Sequence, residues 1–336
     1  MFIPYTHESV RLTGRWDTRD PKVAVATATG SYVEFAFKGR TALARFDTSA
    51  NRYPLHLWLQ LDGGAMCEAP IDYALRFVAT GENAEGTHTA RIIIKGETEA
   101  SERWFLPLRG ATSFLGVQYP EGSGPADLAP DDRRTIEIVG DSITEGVLID
   151  TDFREGFRAC HPYMDQLDRP YLDDVCATYA WLAAEALDLR PFFMGYGAVG
   201  VTRAGMSGVP AVGESYPYNF EGSPVEYPSC DFILFNHGAN DRGKGVEAYL
   251  QKYGETLDLI RARNPKATVI CLSAFCGFAQ TELADFIHTY NKNHGCDVRF
   301  INGGNWVPPE PLHPTRAGHR VIAENLIPLL REIVGN

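Results

Sequence analysis

The sequence predicts a two-part fold, in which an antiparallel β-sandwich precedes an α/β unit built on a parallel sheet. Three observations lead to this prediction. Up to residue 118 the chain alternates short apolar-rich runs with Gly, Asn, Asp and Pro turns; residues 119–134 are rich in proline and glycine; and beyond them apolar runs alternate with runs of helical period. At 336 residues the chain is long for a single core, and we divide it into domains 1–128 and 133–336.

The first part contains seven runs with the composition of β-strands. In the clearest of them Leu55, Leu57, Leu59 and Leu61 alternate with polar or aromatic residues, as in a strand with one buried face. Because no helical pattern separates these runs, they predict an antiparallel sandwich. The seven predicted strands are Val23–Ala28, Tyr32–Phe37, Ala42–Phe46, Leu55–Leu61, Tyr73–Val78, Thr89–Ile94 and Ser113–Tyr119.

The second part alternates continuous apolar strands with amphipathic helices. Such strands are typical of a parallel sheet that is covered on both faces. The predicted strands are Thr135–Val139, Pro191–Met194, Asp231–Asn236, Ala267–Leu272 and Val298–Ile301. The predicted helices are Tyr171–Leu189, Val246–Arg263, Thr281–His294 and Thr315–Ile333.

The composition narrows the class of partner. With 31 basic and 43 acidic residues the formal charge is −12, which disfavours nucleic acids and anionic membranes and favours a neutral substrate. No apolar run reaches the roughly 18 residues of a membrane span. Residues 1–10 have neither the basic nor the apolar region of a signal peptide, and we therefore expect a cytoplasmic protein.

The seven cysteines are scattered and odd in number, which predicts neither a disulfide framework nor a structural zinc site. Cys160 and His161 are only a weak indication of metal binding. We therefore expect no metal ion and no organic cofactor.

Three loops that follow predicted strands carry the candidate catalytic residues. In open parallel sheets, ligands bind beyond the carboxyl ends of the strands. The first loop, 140–146, contains Ser142, whose hydroxyl and free N–H suit a nucleophile. The second, 237–241, contains Asn240, whose side-chain amide suits a developing negative charge. Taken singly, a serine in this position is more often a helix N-cap, and Asn240 with the following aspartate is more often an ordinary turn.

The third loop contains His313 between two prolines, which hold an imidazole in a stiff segment. Glu310 precedes it by three residues and is positioned to bond its Nδ1–H, leaving Nε2 as a general base. His237 is the strongest rival as the base, whereas His319 is expected to bond the backbone from within the last helix.

Residues 195–200 match the dinucleotide fingerprint G-x-G-x-x-G, but this motif must open a helix. The following residues are rich in glycine and proline, so we reject nucleotide binding.

The strings G-D-S-I-T-x-G at 140–146, G-x-N-D at 238–241 and E-x-x-H-P-x-x-x-G-H at 310–319 together resemble the SGNH (GDSL-type) hydrolase family. This resemblance implies a flavodoxin-like three-layer α/β/α domain. It also implies that Ser142 is the nucleophile and His313 the base, and that the oxyanion hole is formed by the Ser142 N–H, a glycine N–H and Asn240. The G-x-T spacing favours Gly200 over Gly197 as that glycine. The family usually has aspartate where this chain has Glu310, so either Glu310 completes a triad or a Ser–His dyad is oriented by a backbone carbonyl.

The first part resembles the jelly-roll domain of carbohydrate esterase family two, in G-R-W at 14–16, G-S-Y-V-E-F-A-F-K-G at 30–39 and L-Q-L-D-G at 59–63. This resemblance implies removal of O-acetyl groups from sugars or oligosaccharides. The alternatives are a thioesterase or lysophospholipase, and a carbohydrate-binding protein with a vestigial hydrolase site.

We also assign Asp141 and Trp306 to substrate binding. Two long segments, 147–170 and 202–229, follow the Ser142 and Gly200 loops, and loops of this length are usually functional. Their aromatic rings are candidates for stacking on sugars, although packing onto the domain explains any one ring equally well. These rings belong to Phe153, Phe157, Tyr163, Tyr216, Tyr218, Phe220 and Tyr227.

Overall fold

A computed structural model describes residues 1–97, 99, 101–150, 170–308 and 310–335. Within these ranges the chain forms a strand-rich unit followed by a parallel sheet with helices on both faces. The predicted fold class is therefore confirmed, whereas the division at residues 128 and 133 stays a prediction. Phe153, Phe157, Cys160, His161 and Tyr163 lie outside the described residues.

Two antiparallel sheets make up the strand-rich unit. Its strands in the described residues are β1 Phe2–Pro4, β2 Val10–Thr13, β3 Ala24–Ala26, β4 Tyr32–Lys38, β5 Thr41–Asp47, β6 His56–Leu61, β7 Cys67–Pro70, β8 Ala74–Val78, β9 Thr87–Gly96, β10 Thr112–Gln118 and β11 Gly124–Pro125. One sheet has the order β1-β10-β5-β8, with β3 paired to β10, and the other has the order β11-β4-β9-β6-β7, with β2 paired to β4. Large apolar side chains such as Phe35, Phe77 and Phe114 fill the space between the sheets.

The strands of the second half form a separate, parallel sheet: β12 Thr135–Gly140, β13 Arg190–Gly195, β16 Phe232–Asn236, β17 Thr268–Leu272 and β18 Arg299–Ile301. Their order in space is β13-β12-β16-β17-β18. The first strand in the chain is thus second in space, which is the order of a flavodoxin-like doubly wound sheet. A separate antiparallel pair consists of β14 Tyr218–Phe220 and β15 Ser223–Pro224.

Helices cover both faces of the parallel sheet because successive strand residues point to opposite sides. The helices are α1 Ser142–Glu145, α2 Tyr179–Ala186, α3 Val212–Ser215, α4 Val246–Arg263, α5 Gln280–His294 and α6 Arg316–Val334. Ile138 lies in the core shared with α2 and α6, whereas its neighbour Val139 lies in the core shared with α4 and α5.

The prediction of one helix from Tyr171 to Leu189 is wrong in its first half. Short 3-10 turns occupy Pro170–Leu172 and Val175–Ala177, and α2 begins at Tyr179, after Thr178 caps it by accepting from the N–H of Trp181. The ammonium group of Lys95, on β9, donates to the carbonyls of Tyr171 and Asp173, each at 2.8 Å. The sandwich therefore holds this segment out of a regular helix.

A buried ion pair joins the two halves of the chain. Arg15 approaches Glu137 of β12 at 2.9 Å, and both side chains are almost fully buried. Arg15 also donates to the carbonyls of Tyr216 and Tyr218, while the hydroxyls of Tyr216 and Tyr227 donate to Glu137. Protein groups thus supply most of the hydrogen bonds that these two buried charged groups require.

The described cysteines, six of the seven, are free thiols. Across the described ranges, no helix combines the length and the apolarity that crossing a bilayer requires.

We predict that Arg15→Met lowers the free energy of unfolding by about 3–5 kcal/mol, because it leaves Glu137 buried without its cation. The matched control is Arg19→Met. Arg19 pairs with Asp17 but is 46% exposed, so its loss should cost less than about 1 kcal/mol. Denaturant unfolding of both variants measures the difference, and equal losses would contradict the role given to the buried pair.

Candidate active site

The register of the parallel sheet brings three loops to one level. Gly140, the last residue of β12, is paired with Gly195 at the end of β13 and with Asn236 at the end of β16. The segments that contain Ser142, Gly200 and Asn240 therefore all leave the sheet at its carboxyl edge, where ligands bind in this class of fold.

Ser142 opens the short helix α1 directly after β12. Asp141 is its N-cap and accepts from the N–H of Ile143 at 3.0 Å, while Gly146 ends the helix in the left-handed region at φ 86°. A Cβ on Gly140 would lie 2.0 Å from the Thr144 hydroxyl oxygen, so only glycine permits this tight strand-to-helix turn. The N–H of Ser142 belongs to the first turn, whose amides have no intrahelical acceptor.

The structure brings Ser142 and His313 together. Nε2 of His313 lies 2.9 Å from Oγ of Ser142, although 171 positions separate the two residues in the chain. Ser142 is 6% exposed and His313 is partly exposed. This is hydrogen-bond distance between a hydroxyl and an imidazole, the arrangement by which a general base activates a nucleophile.

An arginine three residues beyond His313 joins the histidine loop to the chain that follows the serine loop. Arg316 binds both carboxylate oxygens of Asp150 at 2.8 Å, and it reaches Asp174 at 2.7 Å. Its N–H also donates to the carbonyl of Ile149. Bidentate pairs of this kind fix geometry as well as adding energy, so Arg316 restrains the position of His313.

Asn240 lies beside the serine turn. Its side-chain nitrogen is 3.3 Å from Oδ2 of Asp141 and 3.0 Å from the carbonyl of Val199. The next residue, Asp241, accepts from the N–H and the hydroxyl of Thr202 at 2.8 and 2.6 Å. The Asn240 loop and the segment around Gly200 are therefore joined to each other, and Asn240 is joined to the residue that caps the serine helix.

The glycine expected in the oxyanion hole is already paired in this structure. The N–H of Gly200 donates to the carbonyl of Arg203 at 3.1 Å. At Gly197, the alternative, an added Cβ would lie 1.7 Å from the carboxylate of Glu99. Close packing against Glu99 thus explains why residue 197 is glycine. The choice between Gly197 and Gly200 as the oxyanion glycine stays a prediction.

Glu310 is not brought to the imidazole. Its side chain is exposed, and among the hydrogen bonds of the described residues none joins Glu310 to His313. A carboxylate in water has no fixed position from which to orient a ring. The Ser–His contact in this structure therefore forms without a bond from Glu310.

Asp141 is a positioning group in this structure rather than an exposed substrate contact. It is 2% exposed, and its two oxygens face Ile143 and Asn240. Burial and the neighbouring Asp241 raise the pKa of Asp141 to about 7, against the opposing effect of the Ile143 N–H. Its carboxyl group holds the serine turn and the asparagine in fixed relation.

Most of the candidate sugar-stacking rings that the structure describes are buried or partly buried. Trp306 is partly buried, with its ring 6.3 Å from that of Phe275. Tyr216 and Phe220 are buried, and Tyr227 bonds Glu137. Tyr218, at 38% exposure, is the exposed exception. The 202–229 segment thus packs against the sandwich, and sugar stacking by Trp306 stays a prediction.

Two other histidines are buried and neutral. Burial lowers the pKa of His237 to about 4, and its side chain is fully enclosed, which argues against its role as the base. Burial, with smaller effects of the neighbouring His313 and Arg316, lowers the pKa of His319 to about 3. Nδ1 of His319 accepts from the N–H of Tyr179 at 3.1 Å, which confirms the backbone bond expected from the sequence.

The sandwich contributes a residue that sequence reasoning missed. Arg103, from the loop after β9, meets Glu145 of α1 at 2.5 Å, and neither side chain is exposed. Burial raises the pKa of Glu145 to about 7, although Arg103 opposes the shift. The sequence spacing carries no signal of this contact, nor of those made by Arg316. Within the described ranges, no cluster of three or more His, Cys, Asp or Glu residues is arranged to hold a metal ion.

Comparisons with known families match both halves of the chain. The profile of the GDSL-like lipase/acylhydrolase family matches residues 138–321, and that of the carbohydrate esterase 2 N-terminal domain matches residues 12–120. No curated protein sequence matches this chain.

Solved structures resemble the whole fold at low sequence identity. A family two carbohydrate esterase from Clostridium thermocellum in complex with cellohexaose has a TM-score of 0.75 at 20% identity, covering 97% of this chain and 99% of its own. A family two carbohydrate esterase from Cellvibrio japonicus has a TM-score of 0.76 at 18% identity, with coverages of 99% and 97%. An acetyl xylan esterase from the rumen bacterium Butyrivibrio proteoclasticus has a TM-score of 0.75 at 17% identity, with coverages of 100% and 99%.

We predict that His319→Asn makes stability less sensitive to acid. Because the folded pKa of His319 lies below its unfolded value of about 6.5, the unfolded state takes up the proton first, and stability is lost as the pH falls below about 6.5. Asparagine retains an acceptor for Tyr179 but does not titrate. The free energy of unfolding should fall between pH 7 and pH 4.5 in both proteins. This fall should be roughly 2 kcal/mol smaller in the variant than in the wild type.

The control for this experiment is His288→Asn, which alters an exposed histidine of α5 and should keep the wild-type pH dependence. If His319→Asn also keeps the wild-type dependence, His319 is not held neutral by burial.

Proposed function

Since this chain belongs to the GDSL-like lipase/acylhydrolase family and is an esterase, we propose that it removes O-acetyl groups from carbohydrates by a Ser142–His313 mechanism. The observation that carries the proposal is the 2.9 Å contact between Oγ of Ser142 and Nε2 of His313. A serine hydroxyl is a weak nucleophile at neutral pH unless a base takes its proton, and His313 is within reach to do so.

The proposed cycle is acyl transfer in two steps. His313 takes the Ser142 proton as Oγ attacks the ester carbonyl, and the protonated imidazole then gives that proton to the departing sugar oxygen. A water molecule next attacks the acetyl-serine while His313 takes its proton, and acetate leaves as Ser142 is reprotonated. Each step returns the imidazole to its starting form, so the chemistry needs no cofactor.

Two groups of the chain are suited to the negative charge of the tetrahedral intermediate. The Ser142 N–H is a first-turn amide. The Asn240 amide lies next to the serine turn, where its two N–H groups donate to Asp141 and Val199, and one of these bonds would open for the oxyanion. Donors fixed in advance stabilise a developing oxyanion strongly. Gly200 would add a third donor once its hydrogen bond to Arg203 opens.

We propose that the imidazole is oriented by its loop rather than by Glu310. The arginine tether from Arg316 to Asp150 and Asp174 restrains the loop, and Pro314, next to His313, is buried. Glu310, in contrast, is exposed. This arrangement favours a Ser–His dyad over a triad completed by Glu310.

A carbohydrate ester is the substrate class favoured by the fold and the charge. The chain resembles, over nearly its whole length, esterases whose names include acetyl xylan esterase and a complex with cellohexaose. The formal charge of −12 suits a neutral glycan better than a polyanion. The cytoplasmic location expected from the sequence stays a prediction.

The direct test is acetate release from acetylated xylan, acetylated cello-oligosaccharides and 4-nitrophenyl acetate. The wild type should release acetate, and Ser142→Ala and His313→Ala should each lose at least about 10³-fold in kcat. Circular dichroism of both variants controls for folding. Retained activity in Ser142→Ala refutes the nucleophile, and binding of the oligosaccharides without acetate release by the wild type favours a binding protein instead.

We predict further that Arg316→Met lowers kcat by about 10²-fold with little change in KM, because the base shifts while the substrate site persists. The matched control is Arg320→Met, one turn further along α6 and exposed, which should keep the wild-type kcat. A higher KM with an unchanged kcat would show instead that Arg316 contributes to substrate binding.

A further inference from the structure

Asp174 is bonded to the chain near both members of the proposed catalytic pair. Its backbone N–H donates at 3.0 Å to the carbonyl of Gly146, the residue that ends the serine helix α1. Oδ2 of its carboxylate accepts at 2.7 Å from Arg316, three residues beyond His313. The side chain of Asp174 is only 1% exposed. A change in the position of Asp174 would therefore shift the surroundings of both Ser142 and His313.

The sandwich bonds the other oxygen of this carboxylate. Nε1–H of Trp58, on β6, donates to Oδ1 of Asp174 at 2.9 Å, although 116 positions separate the two residues. Oδ1 also accepts from the N–H of Cys176 at 3.0 Å. Among the described residues the carboxylate thus has three donors, Trp58, Cys176 and Arg316, and only Trp58 belongs to the sandwich.

The indole of Trp58 is itself held against the second half of the chain. The ammonium group of Lys95, on the neighbouring strand β9, lies 5.6 Å from the centre of the indole ring, within the range of a cation–π attraction. The same ammonium group donates to two carbonyls of the segment 171–173. A Cβ on Gly96 would lie 2.5 Å from the carbonyl oxygen of Pro170. Close backbone packing and the ammonium group therefore keep the indole N–H directed at its acceptor.

We infer that Trp58 is a positioning residue for the proposed reaction: through Asp174 it restrains the loop of His313. The inference rests on the proposed function and goes beyond it, because it gives the sandwich a part in catalysis. The indole N–H limits rotation of the Asp174 carboxylate, which in turn supplies one of the bonds that hold Arg316. Charge-assisted hydrogen bonds of this kind fix geometry as well as adding energy. Without the indole N–H the carboxylate turns more freely, and the base is held less well.

The first variant is Trp58→Phe, which keeps an aromatic ring and removes the N–H donor. With 4-nitrophenyl acetate, an ester without a sugar, kcat should fall about tenfold while KM stays within about twofold of the wild-type value. A full displacement of 1 Å costs about 10²-fold, and the loosened tether should displace the base by less. Circular dichroism of the variant controls for folding.

The matched control is Trp16→Phe. Nε1–H of Trp16 donates to the carbonyl of Thr13 at 3.0 Å within the sandwich. This variant therefore loses a buried indole hydrogen bond of the same kind, but one that does not reach the Asp174 carboxylate. It should keep the wild-type kcat and KM.

A double variant, Trp58→Phe with Arg316→Met, tests the route. If Trp58 acts through the arginine tether, its substitution should change kcat by less than about twofold once Arg316 is already methionine, because residues that act as a unit are not additive. A general loss of packing would instead lower kcat by the same factor in both backgrounds.

A second replacement of Trp58 isolates the N–H. Benzothienylalanine has the shape of tryptophan but carries sulfur in place of the indole N–H, so at position 58 it should fold like the wild type and lose kcat as Trp58→Phe does. If Trp58→Phe does not fold, this replacement decides.

The outcomes separate this inference from the proposed function. If wild type does not hydrolyse 4-nitrophenyl acetate, the proposed function fails and the inference fails with it. If wild type is active, three results overturn the inference while the esterase remains: a wild-type kcat without the indole N–H, a higher KM with an unchanged kcat, or an equal loss of kcat with and without Arg316.

Discussion

The proposed chemistry of this chain depends on the register of its parallel sheet. Because Gly140, Gly195 and Asn236 are paired across three neighbouring strands, the loops that follow them leave the sheet at the same level. Each loop then needs only a few residues to bring a functional group to a common point. A shift of one residue in this register would turn the side chains of a strand to the opposite face and would displace Ser142 from Asn240.

Two buried ion pairs join the two halves of the chain close to the serine turn. Arg15 reaches Glu137 on β12, the strand that leads into the serine turn, and Arg103 reaches Glu145 at the end of the serine helix. Both pairs are buried, so their free-energy contribution to stability is limited by the loss of hydration. Their main effect is to fix position: the sandwich holds the strand before Ser142 and the helix that begins with it.

The sequence predicts which loops bring the candidate catalytic residues together, because each of these residues belongs to a short motif in a loop that follows a predicted strand. Ser142, Asn240 and His313 follow this pattern, and His313 meets Ser142 as the loop positions require. The ion pairs were not predictable, because 42, 122 and 166 positions separate Arg103 from Glu145, Arg15 from Glu137, and Arg316 from Asp150. Spacing in one sequence carries no information about such contacts.

The error in the predicted helix has a similar cause. The helical pattern from Tyr171 is overridden by Lys95, whose ammonium group bonds two carbonyls of that segment. A tertiary contact thus decides against a local preference. The role of Glu310, which the sequence leaves open between a triad and a dyad, stays a prediction; its side chain is exposed.

Covalent labelling by a 4-nitrophenyl phosphonate tests the central pairing of Ser142 and His313 most directly, because the reagent requires an activated hydroxyl but no particular sugar. We expect one label per chain on tryptic peptide 135–154, which contains Ser142, and a rate that falls on the order of 10²-fold in His313→Ala. Labelling of a different peptide, or an equal rate in His313→Ala, would contradict the account.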